Sequence, residues 1–235
     1  MNATNTAAAT RVMAITLVAT AAAVFVVGCG GGGDDAAASP LGGTAQAARS
    51  AAALETSLAT IAPAALSPDE AASLVFMREE EKLARDVYAA MLSRWGIKVF
   101  ANIGASEQMH MDAVQLLLTR YALPDPAATT LPGQFENTTL QGLYDTLVAS
   151  GQVSLVAALQ VGAEIEDLDI RDLRAIKATV DNADILLVYE SLEKGSRNHL
   201  RAFHDNLLRQ GGSYTPKYLT QAEYDAIVNS PQEKG

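Results

Sequence analysis

The stretch from Asn102 to Tyr121, NIGASEQMHMDAVQLLLTRY, decides the fold. Ile103, Glu107, His110, Val114, Leu117 and Tyr121 recur at intervals of three and four, so they share one face of a helix. Four of the six are apolar or aromatic, which turns that face toward a core. Glu107 and His110 face inward with it. A core-facing carboxylate and imidazole are costly unless they are paired, hydrogen-bonded or bound to metal.

The flanking sequence supplies more helices of the same kind. Ser67-Pro68-Asp69-Glu70 is a helix start, with serine as N-cap, proline at the first position and glutamate at the third. The helix runs to about Trp95, where Gly96 ends it, and Leu74, Met77, Glu81, Ala84, Tyr88 and Met91 form its stripe. A second stripe of Phe76, Leu83 and Val87 carries Glu80, which competes with Glu81 as the inward carboxylate. Glu79 and Lys82 are assigned to solvent. After Leu123-Pro124-Asp125-Pro126, a polar connection with a turn at Pro132-Gly133 leads to a short helix around Leu140 to Ala149.

A third long helix spans Ser154 to about Val180, with Leu155, Leu159, Gly162, Glu166, Asp169, Leu173 and Ile176 along its seam. Glu164 and Asp167 point away. The fourth runs from about Asp184 to Leu208, with Ile185, Val188, Leu192, Ser196, His199, Phe203 and Leu207 inward. Gly195 in mid-helix costs about 1 kcal/mol against alanine, which implies close packing or room for a ligand. The tail with Tyr214, Tyr218, Leu219 and Tyr224 is expected to fold back over the helices. No stretch alternates as a strand would. The class is all-α: an antiparallel four-helix bundle with a long crossover connection carrying a short extra helix.

The chain has 235 residues, 17 basic and 27 acidic side chains, and a formal net charge of -10. That balance argues against nucleic-acid binding, which needs clustered lysine and arginine. The single cysteine, Cys29, excludes an intramolecular disulfide, a thiol redox pair and a cysteine-built zinc site. A metal site must therefore draw on carboxylates and on His110, His199 and His204. The inward polar set is Glu81, Glu107, His110, Glu166, Asp169 and His199, contributed by four helices. It fits two hard ions, iron or manganese, held by carboxylates and completed by imidazoles. The competing reading is structural. Glu107 and His110 then form a hydrogen-bonded pair, Glu166 and Asp169 pair with Arg171 or Arg174, and His199 is a satisfied core histidine.

The segments REEEKLARDVY, NIGASEQMHMDAV, FENTTLQGLYDTL and GSRNHLRAF resemble the bacterial ferritin-like family catalogued as domain of unknown function 2202, within the ferritin and rubrerythrin-like superfamily. The resemblance covers about Ser67 to Tyr224. It implies Glu81, Glu107, His110, Glu166 and His199 as metal ligands, with Asp169 as a further one. It also implies O2 or peroxide as the small-molecule partner, with oxidation of Fe(II) or reduction of peroxide as the chemistry, and a homodimer as a candidate assembly. The fourth helix departs from the pattern: it reads Ser196-x-x-His199 where a second Glu-x-x-His is expected. The second metal then leans on Asp169 or Glu193, or a mononuclear or empty site in a non-catalytic module remains open.

The N-terminal region divides from this domain. Residues 1–28 read as a signal peptide with Arg11 ahead of an apolar run. Val26-Val27-Gly28-Cys29 resembles a bacterial lipobox, which implies a lipidated Cys29 at the cell envelope, on the periplasmic or external face, with membrane contact through the lipid alone. An ordinary signal peptide or an uncleaved anchor is the alternative. Residues 29–65 read as a Gly/Ala-rich tether and 66–228 as the folded domain.

Overall fold

The computed structural model describes residues 53–233, and among these the regular structure is helical, with no strand. Cys29, the leader and most of the tether lie outside the described residues. Six helices follow one another: α1 (Pro68–Trp95), α2 (Lys98–Arg120), α3 (Thr138–Gly151), α4 (Leu155–Lys177), α5 (Ala183–Arg209) and α6 (Gln221–Val228). A short helical turn at 53–59 precedes them and buries Leu54 and Leu58, within the stretch read as tether. No helix among the described residues is long and apolar enough to cross a membrane.

Local chemistry explains the boundaries. Ser67 and Glu70 form the expected capping box at the start of α1. Gly96 takes the left-handed conformation, φ 67°, and its N–H closes α1 on the Leu92 carbonyl. Because Gly96 and Ile97 alone break the chain there, α2 begins at Lys98 rather than Asn102. Asn137 and Ser154 cap α3 and α4, and Thr220 with Glu223 forms a second capping box on α6.

Two apolar clusters fix the helix directions. One holds Leu83, Val87, Tyr88 and Met91 of α1, Phe100 and Ile103 of α2, Leu159 and Ala163 of α4, and Phe203 of α5. The other holds Leu74 and Met77 of α1, Val114 and Leu117 of α2, Leu173 of α4, and Ile185 and Leu192 of α5. By this order α1 and α5 run one way and α2 and α4 the other. The main pairings, α1 with α2 and α4 with α5, are antiparallel, and contacts of α2 with α5 and of α1 with α4 close the core. Since α2 and α4 are parallel, the chain between them must travel the length of the molecule, and α3 lies on that crossing.

The crossing is held by charges that the sequence assigned to solvent. Lys82 is 1% exposed and Glu79 2%, so both assignments are corrected. The Lys82 ammonium donates to Asp86 at 2.6 Å and to the Leu131 and Gln134 carbonyls, both at 3.0 Å. Glu79 accepts from the backbone N–H groups of Glu136 and Asn137, and Arg78 clamps Asp125 with two donors. Peptide groups of an irregular segment replace water around these charges.

Asp167 is likewise fully buried rather than outward. Its carboxylate accepts from the N–H groups of Lys217, Tyr218 and Leu219 at 2.6, 3.0 and 2.8 Å and from the Tyr214 hydroxyl at 2.7 Å. One carboxylate thus anchors the returning tail. Asp167→Ala is expected to cost about 3 kcal/mol in chemical denaturation, since several buried donors lose their acceptor together. Amide exchange at 217–219 should quicken more than exchange in α2.

Candidate metal centre

Between the two apolar clusters lies a polar layer to which each long helix contributes. On α1, Glu81 falls between Met77 and Ala84. On α2, Glu107 and His110 fall between Ile103 and Val114. Glu166 and Asp169 occupy the same level on α4, and Ser196 and His199 on α5. All are at least nine-tenths buried.

Two groups of ligand atoms form within this layer. Glu81, Glu107 and His110 make one, and Glu107, Glu166 and His199 the other; in each, the three atoms lie within 4.8 Å of one another. Ions that hold oxygen and nitrogen at about 2.1 Å place ligand pairs up to about 4.2 Å apart, so small rotations complete either group. Glu107 belongs to both. One oxygen lies 2.8 Å from His110 Nδ1, and the other 2.9 Å from His199 Nδ1. His110 Nδ1 also lies 3.2 Å from Glu81, and His199 Nδ1 3.4 Å from Glu166. The imidazole rings stack with centroids 5.5 Å apart.

The surrounding contacts orient these atoms. His199 Nε2 lies 3.0 Å from the Ser106 hydroxyl, a contact that turns the ring so that Nδ1 faces Glu107 and Glu166. The Tyr88 hydroxyl donates a short bond to one Glu166 oxygen, leaving the other toward His199. Ser106 went unnoticed in the sequence, because a serine beside a glutamate carries no periodic signal.

Gly195 has its explanation here. A Cβ on it would lie 2.5 Å from His110 Nε2 and 2.6 Å from Cε1. The glycine makes room for an imidazole rather than for a ligand.

The charges are strongly perturbed. Burial lifts Glu81 to about 7, with His110 pulling it back and Glu107 adding to the rise. Burial and the nearby Glu107 lift Glu166 to about 7, against His199 and Tyr88. Burial alone would raise Glu107, but His199 and His110 outweigh it and hold the carboxyl well below its ordinary range. Burial would lower His110, yet Glu81 and Glu107 hold it well above the usual value. Oε1 of Glu81 and Oδ1 of Asp169 meet no hydrogen-bond donor, and the Glu80 carboxyl finds only the Asp172 carboxyl. Buried carboxylates with unfilled acceptors, beside two imidazoles, are a donor set that could hold a hard divalent ion.

Other expected residues fall elsewhere. Asp169 belongs to neither group; its Oδ2 accepts a short bond from Ser196, whose hydroxyl has a further contact with the Leu192 carbonyl. Glu193 is turned away, paired with Arg174, Lys177 and Arg197 at 2.9, 2.6 and 2.6 Å, so it cannot replace the missing carboxylate. Between Glu80 and Glu81, Glu81 reaches His110, although both are buried. His204 is off the seam, partly buried, with Nδ1 2.8 Å from the Tyr224 hydroxyl.

Fold and site together define an all-helical protein with a buried centre of carboxylates and imidazoles. The chain belongs to the DUF2202 family, described as an uncharacterized protein domain, which matches residues 70–231. It is 50% identical over 170 residues to the uncharacterized protein MJ0754 of Methanocaldococcus jannaschii, covering 72% of this chain and 92% of that one. The crystal structure of hypothetical protein MJ0754 matches with a TM-score of 0.72 at 48% identity, over 74% of this chain and 99% of the other. That relative is archaeal, so the family the motifs suggested is not confined to bacteria.

Gly195→Ala tests the His110 pocket. Helix propensity alone would stabilise the variant by about 1 kcal/mol. Overpacking costs about 1–3 kcal/mol, so a net loss is expected in urea denaturation. A net gain would show that His110 moves freely away from α5.

Proposed function

We propose that this protein is a ferritin-like four-helix metalloprotein that binds a pair of iron or manganese ions, with Glu107 as the carboxylate between them. Glu81 and His110 complete one position, and Glu166 and His199 the other. The observation that carries this reading is the sharing of Glu107 by two separate groups of ligand atoms. A di-metal carboxylate centre requires such a bridge, and a merely structural Glu–His pair does not.

The reaction we infer is oxidation of Fe(II) by O2 or peroxide. A pair of Fe(II) ions supplies two electrons, the number that reduces hydrogen peroxide to two waters with uptake of two protons. The chain's own residues fix the ligands and keep water out. Ser106 sets the His199 ring. The Tyr88 hydroxyl holds Glu166, and it keeps its proton because burial and Glu166 raise its pKa well above 10. The apolar clusters close the layer from both ends of the bundle.

A second reading, one metal in a non-catalytic module, draws on Ser196. Its hydroxyl is committed to Asp169 and Leu192, so α5 supplies the second position with His199 alone. Metal content decides between them. The full chain, loaded anaerobically with Fe(II) and desalted, should retain two irons; Glu107→Gln should lose both, and His110→Gln or His199→Gln one each. One iron per chain, lost in His110→Gln but kept in His199→Gln, would establish the mononuclear site. No retained iron, with Tm unmoved by Fe(II) or Mn(II), would overturn both readings.

We also propose that Cys29 carries a lipid that anchors the domain at the cell envelope, on the strength of Val26-Val27-Gly28-Cys29. Labelled palmitate should enter the wild-type chain in cells and be absent from Cys29→Ser; equal labelling would refute the anchor.

A further inference from the structure

The two groups of ligand atoms share Glu107, yet beyond it they are built differently. In the group on α2, α4 and α5, each remaining ligand has a second partner. His199 turns Nδ1 to Glu107 and Glu166, while its Nε2 lies 3.0 Å from the Ser106 hydroxyl. Glu166 turns one oxygen to His199, while the other accepts a short bond from the Tyr88 hydroxyl. Tyr88 is itself fixed: it is fully buried, and its ring packs against Phe203 and Phe100 at centroid distances of 5.3 and 6.3 Å.

The group on α1 and α2 has no such outer partners. His110 turns Nδ1 to Glu107 and Glu81, but its Nε2 is buried and meets no hydrogen-bond partner. That edge of the ring faces α5 at Gly195, so packing holds it there and no hydrogen bond does. Glu81 reaches His110 with one oxygen, and the other has no donor. A ligand held from behind keeps its lone pair aimed before an ion arrives. A ligand without that support is ordered only by the ion, at a cost in side-chain entropy.

We propose that the two positions are unequal and fill in order. The position of Glu107, Glu166 and His199 takes a divalent ion first and tightly; that of Glu81, Glu107 and His110 takes the second weakly and exchangeably. Ser106 and Tyr88 are the positioning residues that set this order. The inference rests on the two-metal reading and adds which ion stays and which exchanges. It also separates affinity from the carboxylate count: the lack of a carboxylate at Ser196 does not make the α5 position the weaker one.

The test is an equilibrium titration of the full chain with Mn(II), the free ion followed by its electron paramagnetic resonance signal. Wild type should bind two ions. Repulsion between neighbouring divalent ions separates the two steps even for equal positions, so the positions are compared one at a time. His110→Gln, which keeps the first position, should bind one ion at least about tenfold more tightly than His199→Gln, which keeps the second. Adding Ser106→Ala should weaken the ion of the His110→Gln chain by about tenfold to a hundredfold and leave that of the His199→Gln chain as it was. A general loosening of the bundle would weaken both alike. Circular dichroism and Tm report folding, and Tyr88→Phe in the same two chains gives a second route through Glu166. Two ions in wild type with equal affinities in the single-position chains, or with the tighter ion in His199→Gln, would overturn the order and leave the pair standing. One ion in wild type, kept in His110→Gln and lost in His199→Gln, would overturn the pair and support the His199 position as the better-built one. One ion lost in His110→Gln, or no Mn(II) binding, overturns both.

Discussion

Glu107 lies between two imidazoles in a buried layer, and the arrangement of the helices follows from keeping it there. Its oxygens approach His110 on one side and His199 on the other. To bring a residue of α2 against one of α5, the two helices must meet at this level, and the room for His110 depends on α5 carrying Gly195 there. Apolar clusters cover the layer above and below. The charge balance is therefore set locally, by the carboxylates of α1 and α4.

The buried charges of this chain fall into two kinds. Glu79, Lys82, Asp86 and Asp167 have hydrogen-bond partners, largely the peptide groups of irregular segments. Their work is architectural: they fasten the crossing and the tail to the long helices. Glu81 and Asp169 each keep one oxygen without a donor, and Glu107 meets only imidazoles. Burial is equal in the two sets, so burial alone does not mark function. Unfilled acceptor capacity is what separates the two sets.

The fold was largely legible because four long stretches repeat apolar residues at three and four, and helix periodicity survives any error at the ends. Glu81, Glu107, His110, Glu166 and His199 were legible for the same reason: they interrupt otherwise apolar stripes. Glu79, Lys82 and Asp167 were misread because they lie off those stripes, and periodicity sees only the face turned to other long helices. A connection or a tail folded over the outer face buries a charge without leaving a periodic trace. Glu80, the rival to Glu81 in the sequence, is buried beside it and lines the same small cavity, but Glu81 alone of the two reaches His110. Ser106 and the returned peptide groups of 217–219 have no signature in one sequence, since their role depends on a partner 93 residues away in one case and about 50 in the other.

Ser196 is the point at which charge counting matters most. Glu80, Glu81, Glu107, Glu166 and Asp169 carry a formal charge of −5 when ionised, with both imidazoles neutral. Two divalent ions bring the layer to −1, close to neutrality. A glutamate in place of Ser196 would add one more negative charge to a layer that already has Glu80 and Asp169. The serine instead donates its proton to Asp169 of α4, serving a neighbouring carboxylate rather than supplying one. Burial and Glu81 hold Asp169 well above its ordinary range, so the layer favours protonated carboxyls where no cation balances them. On the two-metal reading, loading the layer would exchange protons for metal, with the Ser196 hydroxyl holding Asp169 in place beside the ligands.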